Sequence, residues 1–239
     1  MRCFRMLGGT PSRSLLIAGM IVVVAGGTAV AAQQGGQVPP LEAAFQPAGS
    51  QPASPDEDGF IRRWMLLEPI SKPNPRNTVF TSTYVRDALN PKNLPVNFTT
   101  IPRNGQIVKA EAPLRWHALD SKTFDVKLFN MAQSLGKPTY GVIFNAVTVI
   151  DSPREMRDAR MAVGSNSASV WWLNGQEAVG LFNDRRMVMD DVMSDRLTLK
   201  KGRNVLRGAV INGPGLSQFC VRFLDADGRP IRDLKVDTQ

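Results

Sequence analysis

The sequence predicts an all-β protein, an antiparallel two-sheet β-sandwich of the jelly-roll kind with a long irregular insertion after the first strand. Three observations predict it. Segments of alternating apolar and polar residues recur through the C-terminal third, among them Ser169-Val170-Trp171-Trp172-Leu173 and Phe219 to Leu224. Turn signals separate them at short intervals: Asn174-Gly175, Lys200-Lys201-Gly202 and Asp227-Gly228. No helical period of apolar residues intervenes, so these strands pair with near neighbours rather than across helical connections.

Taken in chain order, Arg2, Arg5 and Arg13 precede an apolar run from Leu15 to Ala25, which the small-residue series Gly26 to Ala32 follows. Ala29-Val30-Ala31 fits an A-x-A cleavage site, so residues 1–31 are expected to be an export signal and the mature chain to begin at Ala32 or Gln33. A retained anchor is the weaker alternative, because the apolar run falls short of the ~20 residues of a spanning helix. Cys3 precedes that run and is not placed as a lipoprotein cysteine would be. Export implies a periplasmic or extracellular location, with no membrane span after cleavage. Residues 32–59 are rich in Gln, Pro, Gly, Ala and Ser, with Leu41 and Phe45 as their large apolar residues. Such a composition predicts a disordered linker. Residues 60–239 are left for the β-sandwich domain.

Phe60 to Pro69 opens that domain as a strand ended by proline. Pro73, Pro75, Pro91, Pro95 and Pro102 then break the chain, leaving one short helical stretch at Ser82 to Leu89. Strands are expected again at Ile107 to Ala110, Arg115 to Ala118 and Phe124 to Leu128. The long β-branched run Tyr140 to Ile150 reads as a central strand. In the next strand Trp171 shares the Leu173 phase and points inward, while Val170 and Trp172 take the other face. Val205, Ala209 and Ile211 stand opposite Leu206 and Val210, and Asp225 to Gly228 turns into a last strand around Ile231 to Val236.

The chain carries 29 basic and 21 acidic residues. Loss of the three leader arginines leaves a mild basic excess. Arg62-Arg63, Arg185-Arg186 and Lys200-Lys201 are separated pairs with acids nearby, which suits a solvated surface rather than a nucleic-acid stripe. Cys220 is the one mature cysteine, so no internal disulfide can form and a packed core must supply stability.

Trp172-Leu173-Asn174-Gly175, Asp190-Asp191, Leu199-Lys200-Lys201-Gly202-Arg203-Asn204 and Asp227-Gly228 follow one another in that order, after an opening Gly59-Phe60-Ile61-Arg62-Arg63-Trp64. This series resembles the galactose-binding-domain-like β-sandwich modules of secreted bacterial carbohydrate-active proteins, over most of the mature chain. The resemblance implies a jelly roll in an accessory or binding role. Those modules often carry an acidic pair after the glycine-serine that corresponds to Gly164-Ser165, where this chain has Asn166-Ser167. A cation or polar-ligand role is therefore not carried over to this loop.

His117 is the sole histidine, so a Ser-His-Asp mechanism would have to use it as base; no G-x-S-x-G elbow accompanies it. Clusters of His and Cys are excluded by count, which leaves oxygen-ligand sites. Asp184, Asp190, Asp191 and Asp195 are either solvated turn carboxylates or parts of a structural calcium site, at a spacing that matches no defined loop. Trp172 is either a half-exposed stacking platform or an indole covered by the segment from Ser71 to Pro113. The candidate ligand-binding residues are Trp172, Trp116, His117 and Arg185. The expected function is an exported, non-catalytic binding or accessory module for glycans or for a partner carbohydrate-active enzyme. A structural or protein-interaction module of the cell envelope and an esterase-like enzyme are the alternatives.

Overall fold

Alternation along each strand sends one set of side chains into a shared core and the next set to the opposite face. The computed structural model describes residues 38–183 and 185–239, and the expected export signal lies outside them. In chain order its strands are β1 (Phe45–Pro47), β2 (Arg63–Leu67), β3 (Ile70–Ser71), β4 (Ile107–Val108), β5 (Leu114–Ser121), β6 (Val142–Ser152) and β7 (Met156–Ser165). They continue with β8 (Ala168–Leu173), β9 (Gln176–Leu181), β10 (Val192–Met193), β11 (Leu197–Leu199), β12 (Gly202–Asn212), β13 (Phe219–Leu224) and β14 (Lys235–Asp237). Two short helices, α1 (Ser82–Ala88) and α2 (Leu128–Ser134), lie between strands.

The larger sheet runs β1-β5-β2-β6-β12-β8-β9, with β3 and β14 paired to β6 and β4 to β5. In the smaller sheet β7 is central, with β13 on one side and β10 and β11 along the other. The pairings in both sheets are antiparallel. The β-branched run forms β6 as expected, and its register with β12 is unbroken from Gly202 opposite Ser152 to Asn212 opposite Val142. Asn174 and Gly175 both take positive φ, 51° and 84°, the conformation a two-residue hairpin between β8 and β9 requires.

Between the sheets, Trp64 and Leu66, Phe144 and Ile150, Leu206 and Val210, and Trp171 meet Met161 and Val163 of β7 and Phe219, Val221 and Phe223 of β13. Trp64, Trp171 and Phe219 pack edge to face, with centroids 5.9, 5.0 and 4.8 Å apart. Both indoles keep a partner: Trp64 donates to the Ile61 carbonyl at 2.8 Å and Trp171 to Ser169 Oγ at 3.0 Å. Gly208 lies directly across from Trp171 in the β12–β8 register, where a Cβ would meet the indole at 2.3 Å.

The irregular insertion covers the opposite face of the larger sheet. Phe80, Val85, Leu89 and Leu94 pack on Ile143, Val170, Trp172 and Ile211. Val108 and Leu114 close over Met65, Leu67, Trp116 and Val147. Helix α1 occupies the stretch expected to be helical, and Thr81 caps it by accepting from the Tyr84 amide.

Three expectations are corrected, and one strand was not expected. The linker reading fails from Val38 onward: β1 pairs with β5, Phe45 is 1% exposed and Ala53 bridges Val236. Composition averaged over the segment concealed that one buried aromatic and a short strand tie it down. Phe124 to Leu128 is not a strand; Val126 bridges Phe219 once, then the chain enters α2, which buries Leu128, Met131 and Ala132 at helical spacing. Strand β7 escapes sequence reading because Asp158, at φ 58°, interrupts the alternation while β11 shifts register beside it. The last strand does not close a hairpin: after a single bridge from Leu224 to Pro230 the chain crosses to the larger sheet, where β14 pairs with β6. Among the described residues no helix is long and apolar enough to cross a membrane.

Limited proteolysis with proteinase K is expected to spare residues 41–56 as fully as the sandwich; early cleavage there would show that β1 does not hold. Trp171→Ala is expected to cost about 3–5 kcal/mol in urea unfolding, through lost burial and a cavity between the sheets. Trp172→Ala should lie at or below the lower end of that range, because the loop covering it can partly collapse.

Candidate functional site

The four candidate residues do not converge. Trp116 is on β5 and Trp172 on β8, with β2, β6 and β12 between them, a separation of about 19 Å at the usual strand spacing. Trp172 is only 8% exposed, because Phe98 of the insertion meets it edge-on at 5.3 Å. It is therefore a covered indole and not an open stacking platform. Arg185 is half-buried, ion-paired with Asp191, and donates to the Phe182 carbonyl at 3.2 Å.

His117 Nε2 stands 3.2 Å from Glu68 Oε1, and Lys137 Nζ donates to Glu68 Oε2 at 2.8 Å. Burial by itself would raise the Glu68 carboxyl, but hydrogen bonds from Lys137, His117 and the Arg115 backbone, with the Lys137 charge, hold it below its ordinary value. This imidazole is engaged with a carboxylate beside a cation, and its side-chain partner is Glu68 rather than a serine or cysteine. Glu68 thus joins His117 and Lys137 in one cluster.

Two of the four aspartates considered for calcium hold arginines, while Asp195 borders one of the surface clefts. Asp190 forks onto Arg222, whose guanidinium also stacks 4.7 Å from the Phe60 ring, and Asp191 holds Arg185. Asp184 lies outside the described residues. Among the described residues no group of three or more His, Cys, Asp or Glu side chains is placed to hold a metal ion. Cys220 is buried, which pushes its thiol up to about 12.

Clefts of two kinds open on the surface. One of about 710 Å³ sets Arg154, Arg229 and Arg232 against Asp225, Asp227 and Asp233, with Arg154–Asp233 and Arg229–Asp227 already paired. Another, of about 610 Å³, sets Glu155, Glu177 and Asp195 against Arg196 and Lys200. Over the insertion lie two smaller ones that share Pro102. The first, about 250 Å³, has Trp116 in its lining with Asn97, Thr100, Gln106 and Lys109 around it. The second, about 380 Å³, is lined by Ile101, Arg103, Asn104, Arg203 and Thr238. Of the four residues singled out from the sequence, Trp116 is the one that borders these clefts. Its neighbours went unread because they come from the largely irregular stretch between residues 95 and 109, which carries no pattern of its own.

The Glu68 cluster carries a pH dependence. Its lowered pKa gives stability that is fully present above the unfolded glutamate value, about 4.3, and is lost as the pH falls through the lower folded value. The urea midpoint of the wild type is expected to drop more steeply across that acid window than that of Glu68→Gln. Parallel pH profiles would mean that the cluster contributes nothing.

No family model matches the chain, and no curated protein matches it. Among solved structures it is similar to the PA14 sugar-binding domain from an RTX adhesin, at 9% identity and TM-score 0.43, over 73% of this chain and 96% of that one. It is similar to the PA14 domain of the MpAFP antifreeze protein, at 10% identity and TM-score 0.41, over 80% and 99% of the two chains. A β-glucosidase from Kluyveromyces marxianus in complex with glucose is similar at 15% identity and TM-score 0.34, over 46% of this chain, which spans 14% of that enzyme.

Proposed function

We propose that this chain is an exported, non-catalytic binding module of galactose-binding-like fold that engages glycans, either directly or on behalf of a partner carbohydrate-active enzyme. The observation that carries the reading is the cleft of about 250 Å³ set with the polar groups of Asn97, Thr100, Gln106 and Lys109; Trp116 lies beneath it, 3% exposed, and is a packed indole like Trp172. Amide, hydroxyl and ammonium groups suit the hydroxyl edge of a sugar ring. The cleft is scaled to a sugar ring rather than to a large cofactor. His117 is committed to Glu68, which supports binding over ester hydrolysis.

An envelope protein-interaction role is the second reading. Tyr140 and Leu216 are each 56% exposed, and the Asn212 amide, donating to the carbonyls of Thr139 and Gly215, draws their two segments together. Such an apolar pair suits a protein partner.

Glycan-array screening of the mature chain should return bound glycans, and calorimetry with the best of them should weaken about ten-fold in Gln106→Ala, the loss of one hydrogen bond. Unchanged binding in that variant would move the site elsewhere. No bound glycan in the array would put the protein-interaction reading ahead.

A further inference from the structure

Arg207 lies on the covered face of the larger sheet, across from Trp172 of β8 and Val147 of β6. It is 6% exposed, yet among the described residues no carboxylate stands within ion-pair distance of it. Its Nη2 donates to the Thr100 carbonyl at 2.6 Å, and its guanidinium carbon stands 5.4 Å from the centroid of the Phe98 ring. A guanidinium offers five N–H donors in a planar fork that matches two oxygens of an anion. Here one neutral carbonyl and one ring face answer a charge largely taken out of water, and no Arg207 nitrogen is among the fully buried polar atoms left without a partner. Burial accordingly pulls its pKa down. A methionine of similar length would avoid that cost.

The charge around Arg207 is one-sided. Thr100, its acceptor, lines the cleft of about 250 Å³ together with Lys109, and the adjoining cleft of about 380 Å³ carries Arg103 and Arg203. Neither lining includes an Asp or Glu side chain, and the last residue of the sequence, Gln239, borders the second beside Arg103 and Arg203. The nearest carboxylates by strand register are Asp151, across from Arg203 and Lys235, and Asp237, across from Val149; neither borders the clefts. The larger clefts of the molecule, in contrast, set acids against their bases.

We propose that these two adjoining clefts select an acidic glycan, one of whose anionic groups displaces the Thr100 carbonyl from Arg207 while Lys109, Arg103 and Arg203 hold neighbouring charges. This rests on the glycan-binding reading and names its ligand class. The segment that must give way, Leu94 to Thr100, has no helix or strand; Leu94, Val96 and Phe98 pack it on the sheet, and at Thr100 the Arg207 hydrogen bond holds it. A sugar acid fits better than a nucleic acid, because the cations flank ring-sized clefts and one of them is buried, instead of forming an exposed basic stripe.

The test is calorimetric titration of the mature chain with polygalacturonate, dextran sulfate, uncharged dextran and single-stranded DNA, with melting temperatures recorded for each variant. The expected result is at least about ten-fold tighter binding of one acidic polysaccharide than of dextran, with carboxylate or sulfate identified by which of the two binds. Arg207→Met should lose about ten-fold of that affinity and melt no lower than the wild type. Lys109→Ala with Arg103→Ala, at exposed positions, should weaken binding and flatten its salt dependence, which keeps the test decisive if Arg207→Met fails to fold. Equal binding of dextran and both acidic polymers would overturn the acidic selection and leave the glycan reading standing; binding of none, with an empty glycan array, would overturn both. Unchanged affinity in Arg207→Met or in the double variant would reduce Arg207 to a pin for the loop, and tighter binding of DNA than of either polysaccharide would replace the ligand class.

Discussion

The contact on which the rest depends is the meeting of Trp64, Trp171 and Phe219 between the two sheets. Two of these rings come from the larger sheet and one from β13, so the cluster sets how the layers sit on each other. It needs room, which Gly208 provides by leaving the space beside Trp171 empty of any side chain. It also needs its indole donors satisfied inside the protein, which Ser169 and the Ile61 carbonyl accomplish. Among the described residues the one cysteine, Cys220, is free, so close packing of this kind is what holds the layers together.

Because Trp171 takes the inner face, Trp172 is forced to the outer one, and an apolar row from Met65 and Ile143 to Val170 and Ile211 accompanies it. A sheet that is apolar on both faces cannot leave one in water. The insertion between β3 and β5 is the cover that this demands, and the small clefts arise where an irregular chain fits a regular sheet imperfectly. The polar opportunities of the molecule therefore follow from the same alternation that builds its core.

Much of this was legible. The opposite orientations of Trp171 and Trp172, the Asn174-Gly175 turn, the central place of β6 and the short helix near Ser82 all follow from local rules of period and turn chemistry. What was not legible depends on partners remote in sequence. Phe45 looks like a stray aromatic in a polar segment until β5 is seen to accept its strand. The charged first half of β7 hides a strand whose irregularity is matched by β11. The clefts that line Trp116 with Lys109, and Arg103 with Arg203, exist only after the insertion folds over β12, so no spacing in the chain announces them.

The order of the larger sheet has a colloidal consequence. Its two outermost strands are poor templates for another chain: β1 is three residues long and ends in Pro47, which has no amide hydrogen to offer, while β9 meets β8 with a slipped register and carries the charged Glu177. At high local density a module meets its own copies constantly. Edges that cannot be extended let it be crowded without knitting into sheets.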